Sequence, residues 1–307
     1  MARRVSAKLE EGNFKGAVRL LSSDDVIAEH STATLEALKS KHPCAPSDRR
    51  TPVSPDESVL QVSFTESSVR RAIRPISFPA GSSGGVDGLT PQHLKDMITI
   101  QGQASHLLTA VTTLVNLIAT NGVPESIKPI FFGGRLIALK KKDGGFRPIV
   151  VGLSLRRLVS KLMNSYAIDK LSHLFSPIQL GVGVAGGIEA AVHAARRYVD
   201  NLNRDEAVVK LDFRNAFNSL RRDSILEAIH ASLPEAYSYV HASYASPSHL
   251  SFAENIISNE GIQQGDPMGP LLFCLTLHPV LSRCSSELRI AYLDDITLGG
   301  NLASLSM

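Results

Sequence analysis

The chain is predicted to fold as an α+β protein. One observation is a strand–turn–strand pattern at 135–150. Another is a pair of short apolar segments, 207–212 and 289–298, each carrying acid at a strand end. The last is a set of long helical stretches that do not alternate strictly with strands, as a βαβ fold would require.

Taken in order, residues 1–42 read as short helices over Val5–Leu9, Phe14–Leu21 and Ser31–Leu38, separated by Ser and Asp capping residues. Residues 43–57, rich in Pro, Ser, Asp and Arg, read as a linker. A helix around Glu66–Arg74 leads into Pro79-Ala80-Gly81-Ser82-Ser83-Gly84-Gly85-Val86-Asp87-Gly88, whose glycines and serines predict a flexible loop. Helices over Pro91–Thr99 and Ser105–Asn121 follow. Arg135–Leu139 and Phe146–Val150 are apolar runs around a turn centred on Asp143-Gly144-Gly145, a hairpin signal. Two long helices are predicted near Leu155–Leu174 and Gly187–Asn201. Ala207–Leu211 reads as a buried strand ending on Asp212. Helices near Arg222–Ser232 and Gly269–Cys284 precede the run Arg289-Ile290-Ala291-Tyr292-Leu293-Asp294-Asp295-Ile296-Thr297-Leu298, read as strand, acidic turn, strand. No internal repeat is visible.

At 307 residues and 43% hydrophobic, the chain has enough apolar material for a substantial core and two subdomains. The net charge of +3 is mild but uneven. Residues 135–170 hold nine Lys/Arg against two Asp, so the remainder is acidic on balance. Such a stretch fits a polyanion-facing surface, and equally a solvated basic face. Three cysteines, Cys44, Cys274 and Cys284, form neither a disulfide framework nor a paired zinc spacing, which suits a reducing, intracellular setting, nucleus or cytoplasm. His42 and Cys44 read as loop residues. No apolar run resembles a signal peptide or reaches membrane-spanning length, so no membrane partner is expected.

The acids carry the chemistry. Two adjacent carboxylates at a hairpin tip are not placed for burial, because each charge resists leaving water. They suit a hard divalent cation, which takes oxygen ligands. With Asp212 as a third acid at another strand end, the set is what two-metal phosphoryl transfer needs. Each Asp taken singly also fits a turn or a helix cap.

Asp212-Phe213-Arg214-Asn215-Ala216-Phe217-Asn218, then Gly261-Ile262-Gln263-Gln264-Gly265-Asp266-Pro267-Met268-Gly269-Pro270, then Tyr292-Leu293-Asp294-Asp295 resemble the ordered palm motifs of a reverse transcriptase. Gly84–Thr90 and Gly145-Phe146-Arg147-Pro148-Ile149 resemble the fingers of the same family, with a non-LTR retrotransposon flavour. The resemblance covers about residues 60–300. It implies a right-hand polymerase fold with fingers and palm, an antiparallel palm sheet backed by helices carrying the acids. Residues 1–57 would be an N-terminal helical extension and linker, 58–206 the fingers with adjoining palm helices, and 207–307 the palm.

The resemblance also implies roles. Asp212 and Asp294 would be catalytic carboxylates and direct ligands of two Mg²⁺ ions, with Mn²⁺ as a substitute; Asp295 would be a less central member. Phe217 would lie under the sugar of the incoming nucleotide and exclude a 2′-hydroxyl; its plain reading is a core Phe. Gln264 and Gly265 would lie against nucleotide or template, Gly for close backbone approach and Gln as donor and acceptor; their plain reading is a loop before a helix. Arg147, then Lys140, would contact the triphosphate, while Lys141 and Lys142 fit a soluble hairpin tip. Arg156, Arg157 and Lys161 fit either template phosphates or a solvated face. Partners would be an RNA template, a DNA primer and dNTPs. Family members continue into another palm helix, a primer-gripping hairpin and a helical thumb, for which the residues after Gly300 leave no room. A thumb-containing remainder of a longer polyprotein is therefore an expected partner, and a palm without it would leave sheet face or edge uncovered. Two readings stand: an RNA-directed DNA polymerase domain acting by templated two-metal nucleotidyl transfer, and a truncated, inactive nucleic-acid-binding remnant of one. An RNA-templated RNA polymerase of related fold is a third, which Phe217 argues against.

Overall fold

The computed structural model describes residues 5–6, 9–10, 14–22, 26–73, 78, 82–99 and 104–305. Of the expected first helix, Val5–Ser6 and Leu9–Glu10 are helical and the rest lies outside the described residues, as do Pro79–Gly81 of the expected loop. Helices α1 (Phe14–Ser22) and α2 (Thr32–Lys39) flank a two-residue strand β1 (Val26–Ile27). Ser31 caps α2, its hydroxyl accepting from Thr34 N at 3.2 Å. Then come α3 (Glu66–Ile73), α4 (Pro91–Thr99), α5 (Ala104–Ala119) and α6 (Lys128–Phe131). The hairpin β2 (Gly134–Lys140) and β3 (Phe146–Val151) follows, then α7 (Ser154–Phe175) and α8 (Gly187–Asp200). The last third holds β4 (Glu206–Asp212), α9 (Ala216–Ser219), α10 (Arg222–Ser232), α11 (Tyr237–Tyr244), β5 (Ser248–Ser251), β6 (Asn255–Ser258), α12 (Gly269–Arg283), β7 (Leu288–Tyr292), β8 (Asp295–Asn301) and α13 (Leu302–Leu305).

Two sheets organise these elements. In the first, β3 pairs along one edge of β2, with Ile149 opposite Ile137. Two strands share the other edge: β1 antiparallel near Lys140, and β5 parallel at Gly134 and Arg135. β6 closes the sheet against β5. The second sheet is antiparallel with β8 central, in the order β4-β8-β7. β7 is further flanked by the segment after α7, where Leu180 N donates to Ala291 O at 2.7 Å and Ala291 N to Ile178 O at 2.8 Å.

Apolar residues sort into three buried groups. The largest joins α3, α4, α5, α7, α10, α11 and α12 through residues such as Val69, Val115, Leu158, Met163, Ile225, Tyr239 and Leu271. A second lies between α2 and the first sheet, with Leu35 and Leu38 against Leu136, Ala138, Val150, Leu250 and Ile256. A third packs Leu281 of α12 onto Ala291, Ile296 and Leu298, so a helix backs the acidic sheet.

β4 differs from the buried strand expected. Val208 and Val209 are 36% and 38% exposed, because β4 pairs with β8 on one side and, among the described strands, with nothing on the other. The segment at 43–57 is also no simple tether. Arg49 Nη2 donates to Ala245 O at 3.1 Å, and Tyr237 OH donates to Val53 O at 2.5 Å. Among the described residues no helix is long and apolar enough to cross a membrane.

Candidate active site

The acids meet where the two ends of the second sheet's strands coincide. Register puts Asp212, the last residue of β4, directly opposite Asp295, the first of β8, which in turn faces Tyr292 at the end of β7. Residues 83 positions apart in sequence thus share one end of the sheet. The turn between β7 and β8 is tight enough to force Leu293 to φ 59, a left-handed conformation that costs a non-glycine residue about 1–3 kcal/mol. It is held by Gln179, fully buried, whose Oε1 accepts from Leu293 N at 2.8 Å and whose Nε2 donates to Leu293 O at 3.2 Å.

Asp212, Asp294 and Asp295 line one open cleft of about 660 Å³ with Lys41, Lys141, Arg147, Arg214, Phe217 and Gln264. Asp295 makes an ion pair with Lys210 at 3.1 Å. Asp294 lies near Cys274, whose thiol is pushed up to about 12 by burial and then by that carboxylate. Among the described residues no three acids, histidines or cysteines already stand as a metal-binding cluster. Like charges repel without a cation between them, and Lys210 holds Asp295. The donor set itself, carboxylate oxygens at the mouth of an open cleft, is what a hard divalent cation takes.

The second motif reaches the cleft through Gln264. Gly261 N donates to Leu220 O at 2.9 Å and Ile262 N to Phe217 O at 2.7 Å, fastening the loop to the segment after Asp212. On its other side, Val150 N of β3 donates to Gln264 O at 2.7 Å. Gly265 has φ 122, and a Cβ there would fall 2.2 Å from Val150 O, so the close approach requires glycine. Gly265 therefore sits behind the lining rather than on it. Phe217 faces the cleft and also stacks on Phe273 of α12, ring centroids 4.7 Å apart, so the cleft and core positions are one and the same.

The basic residues divide differently from the sequence reading. Arg147 lines the cleft; Lys140, at the end of β2 beside β1, does not. Lys141 does, although it is ion-paired with Asp143 at 3.3 Å. Arg156 is neither a phosphate contact nor a solvated residue. It is 3% exposed, with Nη2 3.2 Å from Asp266 and Nη1 donating to the carbonyls of Phe132 and Gly133 and to Gln263. Helical spacing alone put it beside Arg157 and Lys161, but it turns inward, whereas those two lie over the Phe78 ring. Sequence reasoning missed Arg214, which stood inside a motif without a role, and Lys41, which no motif marks. It also missed Gln179, whose only sequence signal was its place before Gly181 and Gly183.

The model of the family "Reverse transcriptase (RNA-dependent DNA polymerase)" matches residues 139–304. The chain is 27% identical over 230 residues to the retrotransposable element SLACS 132 kDa protein of Trypanosoma brucei gambiense, covering 71% of this chain and 19% of that protein. It is 26% identical over 222 residues to the retrovirus-related Pol polyprotein from the type-2 retrotransposable element R2DM of Drosophila melanogaster, covering 67% and 20%. The chain thus spans about a fifth of the length of these relatives. An apo telomerase from Candida tropicalis, truncated from its C-terminal domain, superposes with a TM-score of 0.42 at 14% identity, covering 63% of this chain and 50% of that one. With its family model matched over more than half of its length, from the hairpin through the acidic turn, the chain belongs to the reverse transcriptase family.

Proposed function

We propose that this chain carries an RNA-directed DNA polymerase site that adds dNTPs to a primer 3′-hydroxyl by two-metal nucleotidyl transfer on an RNA template. The observation that carries the reading is the convergence of Asp212, Asp294 and Asp295 with Arg147, Phe217 and Gln264 on one cleft. In this reading residues 58–206 act as fingers with adjoining palm helices, 207–307 as palm, and 1–57 as an N-terminal helical extension and linker.

Asp212 and Asp294 would hold divalent cations, with Asp295 joining once it leaves Lys210. The cations would offset charge on the attacking, transferring and leaving oxygens. Arg147 offers a planar fork to phosphate oxygens. Phe217, fixed by its stack on Phe273, would close the space that a ribose 2′-hydroxyl needs. Gln264, its loop fastened to β3, would set the position of the nucleotide or its template base.

The test is primer extension by the purified chain, with an RNA template annealed to a DNA primer, dNTPs and Mg²⁺. Asp294→Asn should lower the rate by about 10²-fold or more, the scale of losing a principal electrostatic contact in the transition state. Extension indifferent to Asp294 would overturn the reading. The alternative is a truncated, catalytically inactive nucleic-acid-binding remnant of a reverse transcriptase. Salt-sensitive RNA–DNA binding with no extension by the folded chain would support it.

A further inference from the structure

Lys41 lies almost a hundred positions before the family match begins, yet its side chain lines the same cleft as the three aspartates. It is held there from two sides. On its own side, α2 is fixed by Leu35 and Leu38, buried against the β2–β3 sheet. The turn after α2 brings Lys41 N to Leu38 O at 3.0 Å. His42, next in sequence, sets its ring among Pro148, Val150, Asn218 and Gln264, with Nδ1 2.8 Å from Leu38 O. From the palm side, Asn215 Nδ2 and Asn218 Nδ2 both donate to Lys41 O, at 2.9 and 3.1 Å. Asn218 is 4% exposed, and Asn215 adopts φ 57, so the stretch from Asp212 to Asn218 is shaped to grip this one carbonyl.

The ammonium group is used differently from its neighbours. Lys39 pairs with Glu36 and Glu254, and Lys141 with Asp143. Lys41 Nζ has no hydrogen-bond or ion-pair partner among the described residues. A cation fixed by its backbone and left unpaired in a cleft lined by acids fits a polyanion that arrives with its own divalent cations.

We infer that Lys41 binds the phosphate chain of the incoming nucleoside triphosphate together with Arg147, so that the N-terminal segment supplies part of the nucleotide site. The inference rests on the polymerase reading above. A nucleoside triphosphate is favoured over a template or primer phosphate because the two amides that grip Lys41 bracket Phe217, the sugar-side residue of that reading. Lysine suits this task as a point charge that needs no fixed fork geometry.

The experiment uses the full chain on an RNA template and a DNA primer ending in a dideoxynucleotide. The dissociation constant of the next templated dNTP with Mg²⁺ is read from 2-aminopurine fluorescence in the template. Lys41→Gln should weaken dNTP binding about tenfold or more, the worth of one charge-assisted hydrogen bond. Lys41→Arg should restore most of it. Lys39→Gln, which removes a charge two residues away and outside the cleft, should leave it unchanged, and matched urea midpoints would exclude a folding effect. Unchanged dNTP affinity in Lys41→Gln overturns the inference. So does a weakened affinity for primer–template with a smaller salt dependence and intact dNTP binding, which would make Lys41 a nucleic-acid backbone contact. Failure of the polymerase reading looks different: the wild type itself would bind no dNTP, and Asp294→Asn would match it.

Discussion

Single residues set the geometry of the acidic turn. Leu293 sits at φ 59 with no glycine to relieve it, so something must offset the strain. Gln179 does so by meeting both the N–H and the C=O of Leu293, from a position with no solvent exposure. The packing around the turn is close, since a Cβ on Gly181 would lie 2.8 Å from Leu293 N. Gln179→Leu removes both hydrogen bonds while keeping similar bulk. The turn should then relax and shift Asp294 relative to Asp212. A displacement near 1 Å costs about 10²-fold in rate when reacting groups must align. If the chain acts as proposed above, single-turnover extension should fall by that amount, with Mg²⁺ raised to show that the loss is not simply weaker metal binding. A variant that extends at the wild-type rate would show that the strained turn holds itself.

At the scale of elements, the segment at 48–53 is attached largely through charge. Asp223, at the start of α10, receives Arg221 Nη2 at 2.7 Å, Arg50 N at 3.0 Å and Arg50 Nε at 3.3 Å, while Arg221 also grips Asp48. The Arg221 hydrogen bond, opposed by burial and reinforced by Arg50, holds the Asp223 carboxyl far below its ordinary value of 3.8. A carboxyl depressed in the folded state adds stability that is complete above its unfolded value and is lost as pH falls from there towards the folded one. Asp223→Asn should therefore lower the urea midpoint at about pH 6, and the gap to wild type should close progressively below about pH 4. A gap of equal size across that range would mean that the carboxyl charge contributes nothing. The sequence reading treated this segment as a linker because its Pro, Ser and Arg content carries no period; its partners at Asp223, Ala245 and Tyr237 lie more than 170 positions away. The helices and the two hairpins that carry motifs were legible, since each shows a clean apolar period or a turn signal: α10 spans Arg222–Ser232 and α12 begins at Gly269 as read. By contrast β5 and β6 are four residues each, with serines buried at Ser248 and Ser258 that a hydrophobic pattern cannot mark. In α11 seven of eight residues are buried, so no polar face betrays a helix.

Across the whole molecule, the parts that must close on one cleft meet at a single buried node. Arg156 of α7 reaches the carbonyls of Phe132 and Gly133 at the base of β2, Gln263 in the second motif, and Asp266 beside it. Asp266 in turn accepts from Ser160 of α7, Tyr244 OH of α11 at 2.5 Å and Met268 N at 3.0 Å before α12. Burial first, then the Asp266 charge, push the Tyr244 hydroxyl far above its ordinary range, so it stays a donor. The node therefore joins the first sheet, the central helices and the loop that carries Gln264, and the motif residue Asp266 is a fastening rather than a surface group. An asparagine at 266 cannot accept from all four donors, and its amide would oppose one of them. With Arg156 left buried and unneutralised, Asp266→Asn should cost about 3–5 kcal/mol in urea unfolding. Because the node touches both halves, native-state hydrogen exchange should lose protection together at Val150 in β3 and at Leu272 in α12. A loss confined to one of these, or a cost below about 1 kcal/mol, would mean that hydrophobic contact alone couples the hairpin to the acidic sheet. The cleft would then owe its shape to packing, and the charged residues of the second motif would serve only to fix the loop locally.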